Sequence, residues 1–300
     1  MENDTFAVLM KKIVFIVNPI AGTKGKQRII ERIRELSAAD ASVEVLETAY
    51  AGHAEELAAQ TDADIVVAVG GDGTVNEVAR ALVGTTKALA IVPCGSGDGL
   101  ALHLGLSRDP EQALHTVFHG HTVVMDYALC NGKPFFCSCG MGLDAIVSHR
   151  FANAAQRGLS TYVAEAFKAW RHFVPERYIL TIDGEVRWQG AAAMISVCNA
   201  NQWGNNARIA AGASVADGLL DIVVVKPFHL YQVPKLVYTL FAGKVRQCAQ
   251  AECLTGKIVE VVREQSGPIH RDGDSFVAPS SFEVSIRPQQ LRVVVDQAEV

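Results

Sequence analysis

Several things are missing from the 300-residue chain, and each lack closes off a class of protein. No C-x-x-C pair occurs. The seven cysteines (Cys94, Cys130, Cys137, Cys139, Cys198, Cys248 and Cys253) are odd in number and scattered, with no second pair at zinc-like spacing. Free, mostly buried thiols in a reducing compartment are expected instead. Net charge is only −5 and no basic face dominates, which sets nucleic acid aside as a partner. No apolar run is long enough to span a bilayer. Met1–Met10 carries Glu2 and Asp4 and lacks the apolar core of a signal peptide. Repeats, low-complexity tracts and long linkers are also absent. What is there is rich in aliphatics, with ordinary glycine and proline and mixed charge. The expectation is a globular, cytoplasmic protein whose membrane contact, if any, is peripheral.

The pattern of the first half is strand, polar turn, helix, repeated. Lys12–Val17, Ser42–Thr48, Ile65–Val69 and Ala88–Pro93 read as buried strands. Each ends in a glycine-rich or polar turn: Asn18-Pro19-Ile20-Ala21-Gly22, Tyr50-Ala51-Gly52-His53, Gly70-Gly71-Asp72-Gly73-Thr74 and Cys94-Gly95-Ser96-Gly97-Asp98-Gly99. Alternating units of this kind specify a doubly wound, mostly parallel α/β sheet, with ligands at the carboxyl ends of its strands. Gly70–Thr74 leads straight into a helix, so its peptide N–H groups and the helix N-terminus form a concave donor cluster suited to phosphate. It matches neither the dinucleotide nor the P-loop fingerprint.

After Phe118 the texture becomes mainly antiparallel β. Short strands are expected near Val123–Ala128, Phe135–Cys139, Arg177–Ile182, Glu185–Trp188, Ala191–Asn199, Leu219–Val225, Lys257–Arg263, Glu283–Ile286 and Leu291–Val295. Helices are expected near Ser148–Phe173 and Val233–Gly243. A boundary falls near residue 127, giving a nucleotide-binding α/β domain (1–127) and a β-rich domain (128–300) around a shared cleft. In the second helix Val233, Leu236, Val237, Leu240 and Phe241 recur at helical spacing beside Lys235, Lys244 and Arg246. The spacing favours a helix covering the β domain over a membrane-docking one. Asp272-Gly273-Asp274 sets two carboxylates about one glycine. Proximity can raise the pKa of one, as a general base requires, although the same residues also read as a hairpin turn.

Gly-Gly-Asp-Gly-Thr running on through Val75 into Asn76-Glu77-Val78 resembles the signature of the diacylglycerol kinase catalytic family, which includes bacterial lipid kinases and sphingosine kinases. Asn18–Gly22, Thr48 with Gly52-His53-Ala54-Glu55, Gly140–Ala145, Arg157–Tyr162, Asn199–Gly212, Asp217–Asp221 and Asp272–Asp274 are similar to further stretches of that family. The resemblance implies an NAD-kinase-like first domain and transfer of the ATP γ-phosphate to a lipid hydroxyl with Mg²⁺. It implies nucleotide contacts at Asn18, Pro19, Gly22, Thr48, Gly70, Gly71, Asp72, Gly73, Thr74, Asn76 and Ser96. Catalytic roles are implied for Asp272, Asp274 and Asp126, and a metal at Asp217 with the Ser214 and Leu219 carbonyls. Asp274 stands where the family has glutamate.

The fourth turn, Gly95–Ala101, is closer to the sphingosine kinase version, with Asp98 in place of an asparagine. A carboxylate there would attract an amino-bearing acceptor, so a sphingoid base at a membrane surface is expected, with diacylglycerol the close alternative. NAD kinase and a catalytically silent nucleotide-binding regulator are the competing readings, and a homodimer is left open.

Overall fold

The computed structural model of the chain describes residues 11–19, 26–39, 42–152, 168–169 and 173–297. Strands β1 (Ile13–Val17), β2 (Val43–Glu47), β3 (Ile65–Gly70) and β4 (Ala88–Pro93) pair in parallel in the order β2-β1-β3-β4. Successive side chains on a strand point to opposite faces, so β1 feeds two cores. Val14 and Ile16 meet helices α2 (His53–Gln60), α3 (Asp72–Leu82) and α4 (Gly99–His103) through Ala58, Val78, Leu82 and Leu100. Phe15 and Val17 meet α1 (Lys26–Ala39) and α5 (Pro110–His119) through Ile33, Leu114 and Val117. A sheet buried on both faces is what the unbroken apolar runs required.

The rest of the chain is threaded through this sheet. Strand β5 (His121–Cys130) runs antiparallel along β16 (Ser281–Val295), where the sequence suggested two separate strands. One strand covers both because the chain bulges without leaving the ladder. The register shifts between Arg287 and Leu291, where Pro288 has no N–H to donate and Gln289 takes φ 49°. The end of β16 pairs in parallel with β4, and its start pairs with β13 (Ile258–Arg263). Through β8 (Glu176–Ile182) and β9 (Glu185–Ala192) this makes one continuous ten-stranded sheet. Residue 127 therefore lies inside a strand, and the C-terminal end of β16 completes the first sheet.

A second, six-stranded antiparallel sheet stacks on the far half. Its order is β12 (Ala251–Gly256), β11 (Leu220–Val225), β10 (Met194–Cys198), β7 (Ser138–Gly142), β14 (Gly267–Arg271) and β15 (Asp274–Ala278). Tyr178, Leu180, Val259, Met141, Ile195, Val197 and Ile222 fill the space between the sheets. Strand β12 gave no alternation signal because most of its residues are only half-buried. A short β6 (Lys133–Phe135) pairs with β5, and α6 (Leu143–Ala152) follows β7. Gly22 and the Arg157–Tyr162 stretch lie outside the described residues.

Candidate active site

The carboxyl ends of β1 to β4 are laced together before any side chain enters. Asn18 N donates to Val69 O (3.1 Å), Thr48 N to Val17 O (2.9 Å) and Cys94 N to Gly70 O (2.7 Å). Asn18 Nδ2 then donates to Thr74 Oγ1 at 3.2 Å. Asp72, at the start of α3, braces the fourth turn: Oδ2 accepts from Asp98 N (2.9 Å) and Oδ1 from Gly99 N (2.7 Å). The turns press so closely that a Cβ at Gly97 would come within 2.7 Å of Asp72 Oδ2. Glycine is required there by close approach, not by its φ. The predicted nucleotide residues Asn18, Pro19, Gly70–Thr74 and Ser96 thus share one edge, with Pro19, Gly73 and Ser96 exposed. Thr48, Thr74 and Asn76 are buried beneath it. Glu77 points away from the cradle and accepts from Gly52 N (2.9 Å) and Ala54 N (3.1 Å), its charge meeting the N-terminus of α2.

Asp98 turns inward. It sits at φ 51°, its side chain 2 % exposed. Oδ1 accepts from Gly95 N (2.9 Å), and Oδ2 lies 3.1 Å from Arg108 Nε. Burial and the nearby Asp72 charge push its pKa up to about 6, with Arg108 opposing. Arg108, which carried no sequence signal, also donates from Nη2 to Gly97 O (2.7 Å). Asp98 is therefore engaged by Gly95 N and Arg108, the partners with which an amino-bearing acceptor would have to compete.

In the β-rich half, Asp272-Gly273 is a two-residue hairpin turn between β14 and β15, both residues at positive φ (47° and 89°). The hairpin turn is there as read, and it aims Asp272 inward, away from the exposed Asp274. Phe136 N donates to Oδ2 (2.7 Å), while Cys137 N (2.8 Å) and Ser138 N (2.9 Å) donate to Oδ1. Burial nevertheless outweighs these three bonds and raises its pKa to about 6. Burial, with the Asp272 and Asp72 charges behind it, likewise holds the Cys137 thiol well above its usual range. All seven cysteines are free.

Beneath the turn, His270 Nε2 and Asp144 Oδ2 lie 2.9 Å apart, both nearly inaccessible. His270 Nδ1 accepts from Gly273 N at 3.3 Å. A Cβ at Gly140 would overlap both partners of that pair. Asp274 is exposed, and no hydrogen bond among the described residues reaches its carboxylate.

Asp126 is fully buried at the junction of the two halves. Its oxygens accept from Gly218 N (2.7 Å) and Gln289 N (2.8 Å), pinning the Asp217 loop and the β16 bulge. Asn199 Nδ2 donates to both Asp126 O (3.0 Å) and Phe136 O (2.9 Å), which links this clamp to the Asp272 loop. These are the contacts of a positioning residue. In the clamped loop Asp217 is exposed, and its Oδ1 accepts from Leu219 N (3.0 Å). Among the described residues no three His, Cys, Asp or Glu side chains gather as metal ligands. One carboxylate with the Ser214 and Leu219 carbonyls is an oxygen-only set. It fits a hard cation that keeps much of its water and does not fit zinc.

The same two halves reappear in known proteins. Residues 12–130 match the diacylglycerol kinase catalytic domain, and residues 137–295 match the YegS C-terminal NAD kinase beta sandwich-like domain. The chain belongs to the diacylglycerol kinase catalytic-domain family of lipid kinases. A diacylglycerol kinase of Mycobacterium tuberculosis is 27 % identical over 296 residues, 94 % of each chain. A Klebsiella pneumoniae protein named "Probable lipid kinase YegS-like" is 33 % identical over 61 % of this chain and 62 % of its own. The fold is that of a diacylglycerol kinase structure from Bacillus anthracis (TM-score 0.74, 21 % identity, 97 % and 98 % covered). An Archaeoglobus fulgidus NAD kinase crystallised with ATP aligns at TM-score 0.55 and 15 % identity over 95 % and 94 %. Kinase membership implies ATP as phosphoryl donor. No helix among the described residues is long and apolar enough to cross a membrane.

Proposed function

We propose that the chain is an ATP- and Mg²⁺-dependent diacylglycerol kinase. The observation that carries this reading is Asp272: a carboxylate at the cleft, oriented by three backbone N–H bonds, whose burial sets its pKa near the working range of a general base. The glycine turns after β3 and β4 cradle the phosphates of ATP with backbone N–H groups. Asp272 accepts the proton of the lipid hydroxyl as that oxygen bonds to the γ-phosphorus. The bridging β–γ bond breaks and ADP departs. Mg²⁺, when bound, would neutralise phosphate charge. The Asp217 carboxylate with the Ser214 and Leu219 carbonyls would hold the metal ion. Asp126 and Asn199 set the Asp272 loop against the cradle, and Asp274, at the rim, orients the acceptor.

The acceptor follows from Asp98. With that carboxylate committed to Gly95 and Arg108, nothing in the fourth turn favours an amine, and a neutral diacylglycerol needs only the base. Retention of Asp72, Asp217 and Asp272 speaks against a silent regulator. The test is transfer from labelled ATP to a panel of diacylglycerol, a sphingoid base and NAD. Diacylglycerol should be labelled, and Mg²⁺ removal should stop the reaction. Labelling of NAD with none of either lipid overturns the proposal.

A further inference from the structure

The turn Leu230–Gln232 and helix α7 (Val233–Phe241) stand apart from the site. One face of α7 covers the β domain as the spacing suggested: Thr239 is buried, and Leu236 and Leu240 pack on the cluster of Cys198, Ile209, Val223 and Val245. Among the described residues nothing covers the other face. Tyr231 is 77 % exposed, Tyr238 63 %, Leu230 50 %, Val237 46 % and Phe241 43 %. Pro234, Val237, Tyr238 and Phe241 follow one another down one side of the helix at i, i+3, i+4 and i+7. A contiguous exposed apolar patch of this kind marks an interaction surface.

Charge says with what. From Lys226 to Gln250 the chain carries no carboxylate side chain, although its net charge is −5. Lys226 and Arg246 are paired with Glu252 (3.0 Å) and Asp221 (2.7 Å), whereas Lys235 and Lys244 hold no ion pair among the described residues. Aromatic tips, aliphatics and unpaired lysines without acids form the composition of a segment that lies in the interface of an anionic bilayer. Its position agrees. Arg208 N donates to Leu240 O (3.1 Å) on α7, and Asn205 N donates to Gly97 O (3.0 Å) in the fourth turn. One short loop thus joins the patch to the phosphate cradle.

We propose that Leu230–Phe241 is the surface on which the protein rests against an anionic bilayer, holding its cleft over embedded lipid. The purpose of that contact rests on the lipid-kinase reading, while the contact itself does not.

The experiment uses the full chain, a Tyr231→Ser/Val237→Ser/Tyr238→Ser/Phe241→Ser variant and a Lys235→Gln/Lys244→Gln variant. Each is sedimented with phosphatidylcholine vesicles with and without phosphatidylglycerol. The natural chain should bind the anionic vesicles, and the apolar variant should bind about 10-fold or more weakly. The lysine variant should lose about fivefold per lysine, less at high salt. Activity on a water-soluble, short-chain diacylglycerol should be unchanged in both variants, which also reports that they fold. Equal vesicle binding by the natural chain and the apolar variant overturns the proposal. So does a variant that keeps vesicle binding while a dimer becomes a monomer in ultracentrifugation, since the patch is then a subunit interface. Loss of vesicle binding with no lipid phosphorylated by any of the proteins supports the surface and overturns the kinase reading alone.

Discussion

Asp72 and Asp272 stand in opposite halves of the molecule, and both accept hydrogen bonds from consecutive backbone N–H groups of a facing loop. Their duties are reversed. Asp72 starts a helix and braces the flexible glycine turn at residues 97–99, so the carboxylate orders the loop. Asp272 sits at the tip of a hairpin and is itself ordered by Phe136, Cys137 and Ser138, with the His270–Asp144 pair behind it. A phosphate cradle needs backbone freed of side chains and then locked. A proton acceptor needs a carboxylate kept in place yet still able to change charge. The two differ in which partner is held: both carboxylates are half-buried, and burial raises the pKa of each.

The contrast can be broken most severely under the hairpin. Gly140→Ala drives a methyl into the His270–Asp144 pair and should destabilise the protein by about 3–5 kcal/mol, the scale of a broken buried pair. Denaturant unfolding measures it; a midpoint like the natural one would mean the pair does not support the turn. Asp272→Asn should keep the fold and ATP affinity while kcat falls ~10²-fold or more, read by lipid phosphorylation at saturating ATP. Gly97→Ala, which sets a methyl against the Asp72 carboxylate, should cost about 1–3 kcal/mol of stability and weaken ATP binding in titration calorimetry. The smallest effect belongs to Asp98→Asn. The ratio of kcat/KM for diacylglycerol to that for a sphingoid base in matched mixed micelles should not move, and a shift toward diacylglycerol would restore the amine-attracting role of Asp98.

These predictions also mark what could be read from sequence. The strand, glycine turn and helix over Ile65–Leu82 were legible because their determinants are local. The doubly wound sheet was legible for the same reason. The surroundings of Asp272 were not, since Phe136–Ser138 meets it only through the pairing of β7 with β14. The His270–Asp144 pair and Arg108 were invisible likewise, each being one charged or polar residue whose partner is chosen by tertiary packing. The setting of Asp98 was hidden for a related reason. Sequence places a carboxylate beside the phosphates but cannot show that φ 51° turns it onto Gly95 and Arg108. The single strand β16 was missed because its proline and bulge look like a break between strands.

The central claim is that Asp272, in its buried setting, takes the proton from a lipid hydroxyl. Its most direct test is the pH dependence of kcat/KM for diacylglycerol in the natural protein and in Asp272→Asn at saturating Mg²⁺ and ATP. A base must be unprotonated to act, and burial raises this carboxyl to about 6. Activity in the natural protein should therefore climb as pH rises through about 6 and level off above it, and the residual activity of the variant should lack that step. A variant that turns over like the natural protein and keeps the same inflection would place the base elsewhere.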